Sequence, residues 1–163
     1  MQLKHEPAAL ILTRQAVPTF DRTKYGSAAG VAKGAYVLAD AAGGKPQVIL
    51  IGTGSEVSLC VDAYEKLKAE GIQTRVVSMP SWDLFERQDK AYKDSVLPPT
   101  VSARVAVEEA SVFGWERYVG MNGRIIGMRT FGASAPAKDL QTKFGFTTDA
   151  VMAAAREALS GSR

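Results

Sequence analysis

The sequence predicts an α/β protein, a three-layer α/β/α sandwich built around a mostly parallel sheet. Continuous apolar runs such as QVILIG (47–52) are typical of strands that are covered on both faces. Segments with helical spacing alternate with these runs, and the short connections favour parallel strands with right-handed crossovers. The 163 residues, 46% hydrophobic and 23% charged, suit one ordinary globular domain.

The strands follow in chain order. AYVLAD (35–40) alternates loosely and precedes the turn at Gly43-Gly44, so we predict an edge strand that is antiparallel to the next strand. Pro80 ends a later strand. The remaining predicted strands are the inner strands at 47–52, 72–80 and 103–109, and a short strand at 124–128.

The helices are predicted from apolar spacing and from stop signals. Residues 55–70 carry one apolar face, and Gly71 ends the helix. One or two short helices follow within 82–99, closed by Pro98-Pro99. Two further helices are expected at 136–144 and 148–159, the second capped by Thr147 or Thr148.

The first residues do not fit this plan. Ala8 to Thr13 form an apolar strand pattern that is followed by a loop ending at Pro18. We interpret residues 1–33 as the end of a preceding domain with a linker, and residues 34–163 as the domain described above. Because an unpaired strand exposes backbone groups, we expect this segment to pack on the domain or to pair with a neighbouring molecule.

The composition excludes several classes of protein. The net charge is +3, but the basic residues are interleaved with acids, which argues against a nucleic-acid surface. No apolar run approaches a membrane span, and the chain start lacks the features of a signal peptide, so we expect a cytoplasmic protein. The single cysteine, Cys60, is expected to be buried and reduced, and the single histidine, His5, to lie on the surface.

The stretch Gly52-Thr53-Gly54 between strand and helix resembles a phosphate-binding loop. A dinucleotide fingerprint needs a third glycine where Val57 stands and an acidic residue at the end of the next strand, and both are missing. Thr53 and Glu56 instead have the spacing of a capping box, in which each side chain bonds the other residue's N–H. The charge of Glu56 would also repel a phosphate at this helix start.

Two other groups of residues are candidates for chemistry. Glu108 and Glu109 lie at the carboxyl end of a strand but face opposite ways, so they do not form an acid/base pair, and one inward Glu with a structural partner is expected. We expect four aromatic residues to close the core: Phe113, Trp115, Tyr118 and Phe131. An independent α/β module that binds a small anionic metabolite or nucleotide remains the alternative function.

The chain resembles transketolase over nearly its whole length. The segments that carry the resemblance are ALILTRQAVP (9–18), GAYVLAD (34–40), IGTGSEVSLCVDAYEKLKAEGIQTRVVSMPS (51–81), YKDSVLPPTVSARVAVEEA (92–110) and FGASAPAKDLQTKFGFT (131–147). The resemblance implies the last strand of the pyrimidine-binding domain followed by the C-terminal domain. That domain would have a mixed, mostly parallel five-stranded sheet whose first strand is antiparallel.

The resemblance also implies a function. Transketolases are homodimers that use thiamine diphosphate and Mg²⁺ or Ca²⁺ to move a two-carbon ketol unit between sugar phosphates of the pentose phosphate pathway and Calvin cycle. Their catalytic, cofactor-binding and metal-binding residues belong to upstream domains, so this fragment is expected to be noncatalytic, structural and dimer-supporting. Its expected partners are the rest of the transketolase chain and the dimer mate.

One site residue is implied by the resemblance. The arginine of the family's S/T-R-Q segment contacts the phosphate of the donor or acceptor sugar, and it corresponds to Arg14 in LTRQ. A guanidinium suits this role because its fork of donors matches phosphate oxygens. No catalytic, cofactor-binding or metal-binding residue is expected on this fragment.

Overall fold

The sheet has five strands in the order β1-β3-β2-β4-β5, in a computed structural model that describes residues 5–161. Their bounds are Tyr36–Ala39 (β1), Val48–Gly52 (β2), Thr74–Ser78 (β3), Arg104–Ser111 (β4) and Arg124–Met128 (β5). β2 pairs in parallel with both β3 and β4, and β5 pairs in parallel with β4. The predicted α/β class with a mixed, mostly parallel sheet is confirmed.

The first strand is the antiparallel one, as expected, but its partner differs from the prediction. β1 is an edge strand that pairs with β3, with Tyr36 opposite Ser78, and not with β2, the next strand along the chain. Both edges of β2 are already occupied by the parallel neighbours β3 and β4. Because a strand has only two hydrogen-bonding edges, β1 joins the sheet at the free edge of β3.

Within residues 5–161, six α-helices surround the sheet. Their bounds are Val57–Ala69 (α1), Trp82–Glu86 (α2), Lys90–Val96 (α3), Glu116–Val119 (α4), Ala137–Phe144 (α5) and Thr148–Ser160 (α6). A 3-10 turn, Gly54–Glu56, leads into α1, which therefore starts later than the predicted residue 55. The Thr147 hydroxyl accepts from the N–H of Ala150, which confirms Thr147 as the cap of α6.

The core lies on both faces of the sheet and alternates along β2. Val48 and Leu50 face a cluster that includes residues of α1 and α6, whereas Ile49 and Ile51 face a cluster from α2, α3 and α4. All four side chains are fully buried. This burial on both faces explains the continuous apolar run of the sequence, since a central parallel strand has no solvent-facing side.

Two arginine side chains connect strands of the sheet to the segments that flank them. Arg75 on β3 is buried and holds Asp40, just after β1, through two contacts of 2.8 Å. Arg104 at the start of β4 donates to the carbonyls of Val101, Leu97, Pro98 and Tyr118. Each guanidinium thus satisfies several acceptors that lie outside the strands of the sheet.

The segment before the domain is not the strand that the pattern predicts. Residues 7–13 have no regular secondary structure and are exposed, and Leu10, Ile11 and Leu12 keep 68%, 95% and 79% of their surface exposed. Residues 7–13 therefore do not pack on the domain, and the other expectation, pairing with a neighbouring molecule, stays a prediction. A strand needs a hydrogen-bonded neighbour, and no strand among residues 5–161 pairs with this segment.

Candidate functional site

The candidate site is the carboxyl end of the sheet, where the Gly52-Thr53-Gly54 loop leaves β2. A Cβ atom on Gly52 would lie 3.0 Å from both the Cys60 sulfur and the Val57 Cα. Gly54 has a φ of +55°, a left-handed conformation that glycine adopts at little cost. The two glycines therefore serve close helix packing and a tight turn, which is a structural use of a phosphate-loop pattern.

The predicted capping box is wrong. The Thr53 side chain makes no capping hydrogen bond, and the contact at this position is the Glu56 N–H donating to the Thr53 carbonyl at 3.2 Å. The Glu56 carboxylate turns inward, accepts from the Ser55 hydroxyl, and accepts from the backbone N–H of Glu109 at 3.4 Å. Glu56 is 4% exposed, so it links the start of α1 to the end of β4 across the sheet.

Three glutamates gather at this end of the sheet, and their charges act on one another. Burial raises the pKa of Glu56, opposed by the donors Ser55 and Glu109 N–H. The pKa of Glu108 is raised to about 7, first by burial and then by the charges of Glu56 and Glu109. No Lys or Arg of residues 5–161 forms an ion pair with any of the three.

The two adjacent glutamates of β4 face opposite ways, as predicted. Glu109 is exposed, and its carboxylate accepts from the Gln141 amide of α5 at 2.9 Å. Glu108 is half-buried, and no described side chain or backbone group donates a hydrogen bond to it. The structural partner expected for the inward glutamate is therefore absent from the described part of the chain, and spacing along the strand gave no sign of this.

The aromatic residues divide into two pairs. Trp115 and Tyr118 are 2% and 3% exposed and pack with Trp82 and Phe85, which confirms their predicted place in the core. Phe113 and Phe131 are 86% and 98% exposed, so the prediction of core packing is wrong for them. They follow β4 and β5, the two neighbouring strands at one side of the sheet, and both therefore lie at its carboxyl end.

Arg14 lies outside any closed site. It is exposed, and it makes no hydrogen bond or ion pair with another described residue. Its neighbour Gln15 helps to line a small cleft of about 170 Å³ between the end of β4 and α5, together with Glu109 and Gln141. Gln15 thus brings the segment that precedes the domain to the carboxyl end of the sheet.

A second and larger groove runs along the free edge of β5. It has a volume of about 670 Å³ and is bordered by α4 and α6. Its charged groups are of mixed sign, and Arg124 is already paired with Glu157 at 3.2 Å. The groove therefore offers an open sheet edge rather than a set of convergent catalytic groups.

The described residues do not fit the cofactor that the resemblance implies. Residues 5–161 contain no group of three or more His, Cys, Asp or Glu side chains that could hold a metal ion. The start of α1, a position at which a helix can bind a phosphate group, is occupied by the buried carboxylate of Glu56. Cys60 is fully buried, and burial raises the pKa of its thiol, so it is no nucleophile.

The two remaining expectations concern His5 and membrane spans. His5 is exposed, as predicted. Within residues 5–161, every helix is too short or too polar to cross a bilayer.

Comparison with known proteins identifies the architecture. The family described as "Transketolase-like TK C-terminal domain" matches residues 34–147. Transketolase 1 of Escherichia coli is 57% identical over 153 residues, which are 94% of this chain and 23% of the relative. The transketolase of Geobacillus stearothermophilus is 52% identical over 147 residues, 90% of this chain and 22% of the relative.

Solved structures give the same result. A transketolase from Leishmania mexicana superimposes with a TM-score of 0.75 at 43% identity, over 81% of this chain and 19% of that protein. A Pichia stipitis transketolase reaches 0.79 at 37% identity, over 90% of this chain and 20% of that protein. The chain spans about a quarter of the length of the curated relatives that it matches. The chain therefore belongs to the transketolase family, and it carries the C-terminal domain of that family.

Proposed function

We propose that this chain serves as the C-terminal part of a thiamine diphosphate-dependent transketolase and that it is noncatalytic by itself. In the complete enzyme it supports assembly with the remaining domains and with the dimer mate, in the cytoplasm. The reaction of that enzyme is transfer of a two-carbon ketol unit between sugar phosphates, with Mg²⁺ or Ca²⁺ as the cation that accompanies the cofactor.

This proposal rests on one observation: the sequence identity to the relatives is high, but this chain covers only a small part of their length. The Escherichia coli relative is 57% identical to this chain over 94% of this chain, but the matched region makes up only 23% of the relative. The described residues also lack a cluster of ligands that could hold the cation of the cofactor. Both observations support our proposal that the chemistry belongs to the other parts of a transketolase.

Arg14 is the one residue that we propose for substrate contact. A Pichia stipitis transketolase, 37% identical, has been crystallised with sedoheptulose 7-phosphate, which is a sugar phosphate. Arg14 is exposed and has no described ion-pair partner, so its guanidinium is free to bind an anion once the other walls of the site are present.

The test compares this chain alone with a chimera. In the chimera, the 153 matching residues of the Escherichia coli transketolase 1 are replaced by this chain. With sugar phosphates, thiamine diphosphate and Mg²⁺, we expect ketol transfer by the chimera and none by the chain alone. Turnover by the chain alone, or its tight calorimetric binding of NAD, ATP or thiamine diphosphate, would instead support an independent enzyme or binding module.

The role of Arg14 is tested in the same chimera. Arg14→Ala should raise the KM for the sugar phosphate by about tenfold or more with a smaller effect on kcat, because a charge-assisted contact to phosphate is lost. Arg129→Ala is the matched control, since Arg129 is also exposed but borders the β5 groove. Equal effects of the two substitutions would contradict a specific role for Arg14.

A further inference from the structure

We propose that the carboxyl-end surface is the face on which the remaining transketolase domains dock, and that a basic side chain of those domains pairs with Glu108. This inference rests on the proposed function and names the surface and the chemistry of the contact. The carboxyl-end surface is defined by Glu108 and by five exposed apolar residues, Leu10, Ile11, Leu12, Phe113 and Phe131.

The first observation is the exposure of large apolar side chains. Phe113 and Phe131 are 86% and 98% exposed, although they directly follow two neighbouring strands. Leu10, Ile11 and Leu12 add three consecutive exposed aliphatic side chains. Exposed apolar groups concentrated at one end of a protein, with aromatic rings among them, are typical of an interface.

The second observation is the path of the segment that leads into the domain. Glu6 pairs with Arg87, just beyond α2, at 2.9 Å, and Gln15 lines the cleft beside Glu109. Both α2 and this cleft follow carboxyl ends of strands, so Glu6 and Gln15 anchor the segment at the carboxyl end of the sheet.

The third observation is a missing countercharge. Glu108 is half-buried beside the charges of Glu56 and Glu109, yet no described Lys or Arg forms an ion pair with it. Glu56 is satisfied by the Ser55 hydroxyl and the Glu109 N–H, so Glu108 is the carboxylate left for an external partner. An Arg or Lys at the centre of an apolar interface would offset the repulsion of Glu108 by the charges of Glu56 and Glu109.

The partner is therefore the upstream part of a transketolase rather than a small molecule. The relatives of this chain are about four times its length, and Gln15, in the segment that precedes the domain, lines a cleft at this surface. A large apolar area with one cationic contact is the chemistry expected of a docked domain.

Hydroxyl-radical footprinting with residue-resolved mass spectrometry tests the surface without any substitution. We expect oxidation of Phe113 and Phe131 to fall at least about fivefold from the chain alone to the chimera, whereas Met121 changes less than about twofold. Met121 is a matched control because it is also fully exposed, at 101%, but precedes β5. Unchanged oxidation of the two phenylalanines, or equal protection of Met121, would overturn the inference.

Substitution of Glu108 gives a second and independent readout. In the chimera at pH 8, Glu108→Gln should lower the Tm by about 2 °C or more because an ion pair is lost, whereas it should raise the Tm of the chain alone. The same direction of change in both proteins would overturn the basic partner.

The outcomes separate this inference from the proposed function. An active chimera with unprotected phenylalanines would leave the proposed function intact and overturn the docking surface. An inactive chimera would count against the proposed function. Concentration-dependent protection of Phe113 and Phe131 in the chain alone would assign the surface to a second copy of this chain and overturn the proposed partner.

Discussion

Glu56 shows how one side chain can change the use of a whole motif. A helix that starts after a strand and a glycine turn attracts anions, because its first N–H groups point outward. Here the carboxylate of the chain itself lies at that position, 4% exposed, and bonds the Glu109 N–H of a neighbouring strand. The anion-binding end of α1 is thus used for the internal structure, and a carboxylate is left unpaired nearby, on Glu108.

The unpaired carboxylate predicts a pH dependence of stability. Burial raises the pKa of Glu108 to about 7, above its value in an unfolded chain. The folded state therefore prefers the protonated form, so its stability is complete at low pH and falls as pH rises from about 4.5 toward 7. Glu108→Gln should raise the free energy of unfolding of the isolated chain by about 1 kcal/mol at pH 8, a value discounted for solvent screening.

The measurement is urea unfolding at pH 8 and pH 4. The benefit of Glu108→Gln should largely disappear near pH 4, where glutamate is protonated in the folded state and mostly protonated in the unfolded state. Asp62→Asn is the control, because Asp62 is exposed on α1, and it should change the free energy of unfolding by less than about 0.5 kcal/mol at either pH. A benefit of equal size at both pH values would show that the effect is not electrostatic.

At the scale of elements, local structure was predicted from the sequence better than strand pairing was. The strand at 124–128 and the cap at Thr147 were predictable because apolar runs and capping residues act within a few residues. The pairing of β1 with β3 was not predictable, because it depends on which sheet edges remain free after distant strands have joined. The direction of Glu56 was missed for the same reason, since its acceptor role is set by the far end of β4.

The ion pair of Arg75 with Asp40 joins β3 to the end of β1. We therefore predict that breaking this ion pair lowers the stability of the fold strongly. Asp40→Ala should lower the free energy of unfolding by about 3 kcal/mol, because it leaves the Arg75 guanidinium buried without its countercharge. The Arg75 side chain is only 6% exposed. The effect is measured by chemical denaturation, with hydrogen exchange of β1 as a local readout.

A matched pair on the surface provides the control. Arg156 also makes two short contacts to one carboxylate, that of Glu70, but the two side chains are 50% and 42% exposed. Glu70→Ala should therefore cost less than about 1 kcal/mol. Similar costs for both substitutions would mean that burial does not decide the contribution of the Arg75 pair.

At the scale of the whole molecule, the domain has a well-buried core and exposes large apolar side chains at one surface. β2 has all five residues buried, and helices cover both faces of the sheet. Apart from Met121, which precedes β5, the large exposed apolar residues of the described chain lie before the domain or after β4 and β5. The sequence indicated this division at residues 8–13, where an apolar strand pattern lacks a neighbour, but Phe113 and Phe131 carried no such signal because their apolar character equally suits a core.

This division predicts that residues 1–17 can be removed from the isolated chain at little cost. Residues 7–17 are exposed and form no secondary structure, and the ion pair of Glu6 with Arg87 is itself half-exposed. The shortened chain should keep its free energy of unfolding within about 1 kcal/mol of the full chain and should be more soluble, since Leu10, Ile11 and Leu12 are gone.

Removal of residues 148–163 is the contrasting deletion: it takes away Val151, Ala155 and Ala158, which are fully buried, and should prevent cooperative folding. Urea unfolding and light scattering of the three proteins would decide, and a loss of several kcal/mol on removing residues 1–17 would show that the segment is part of the fold rather than part of a docking surface.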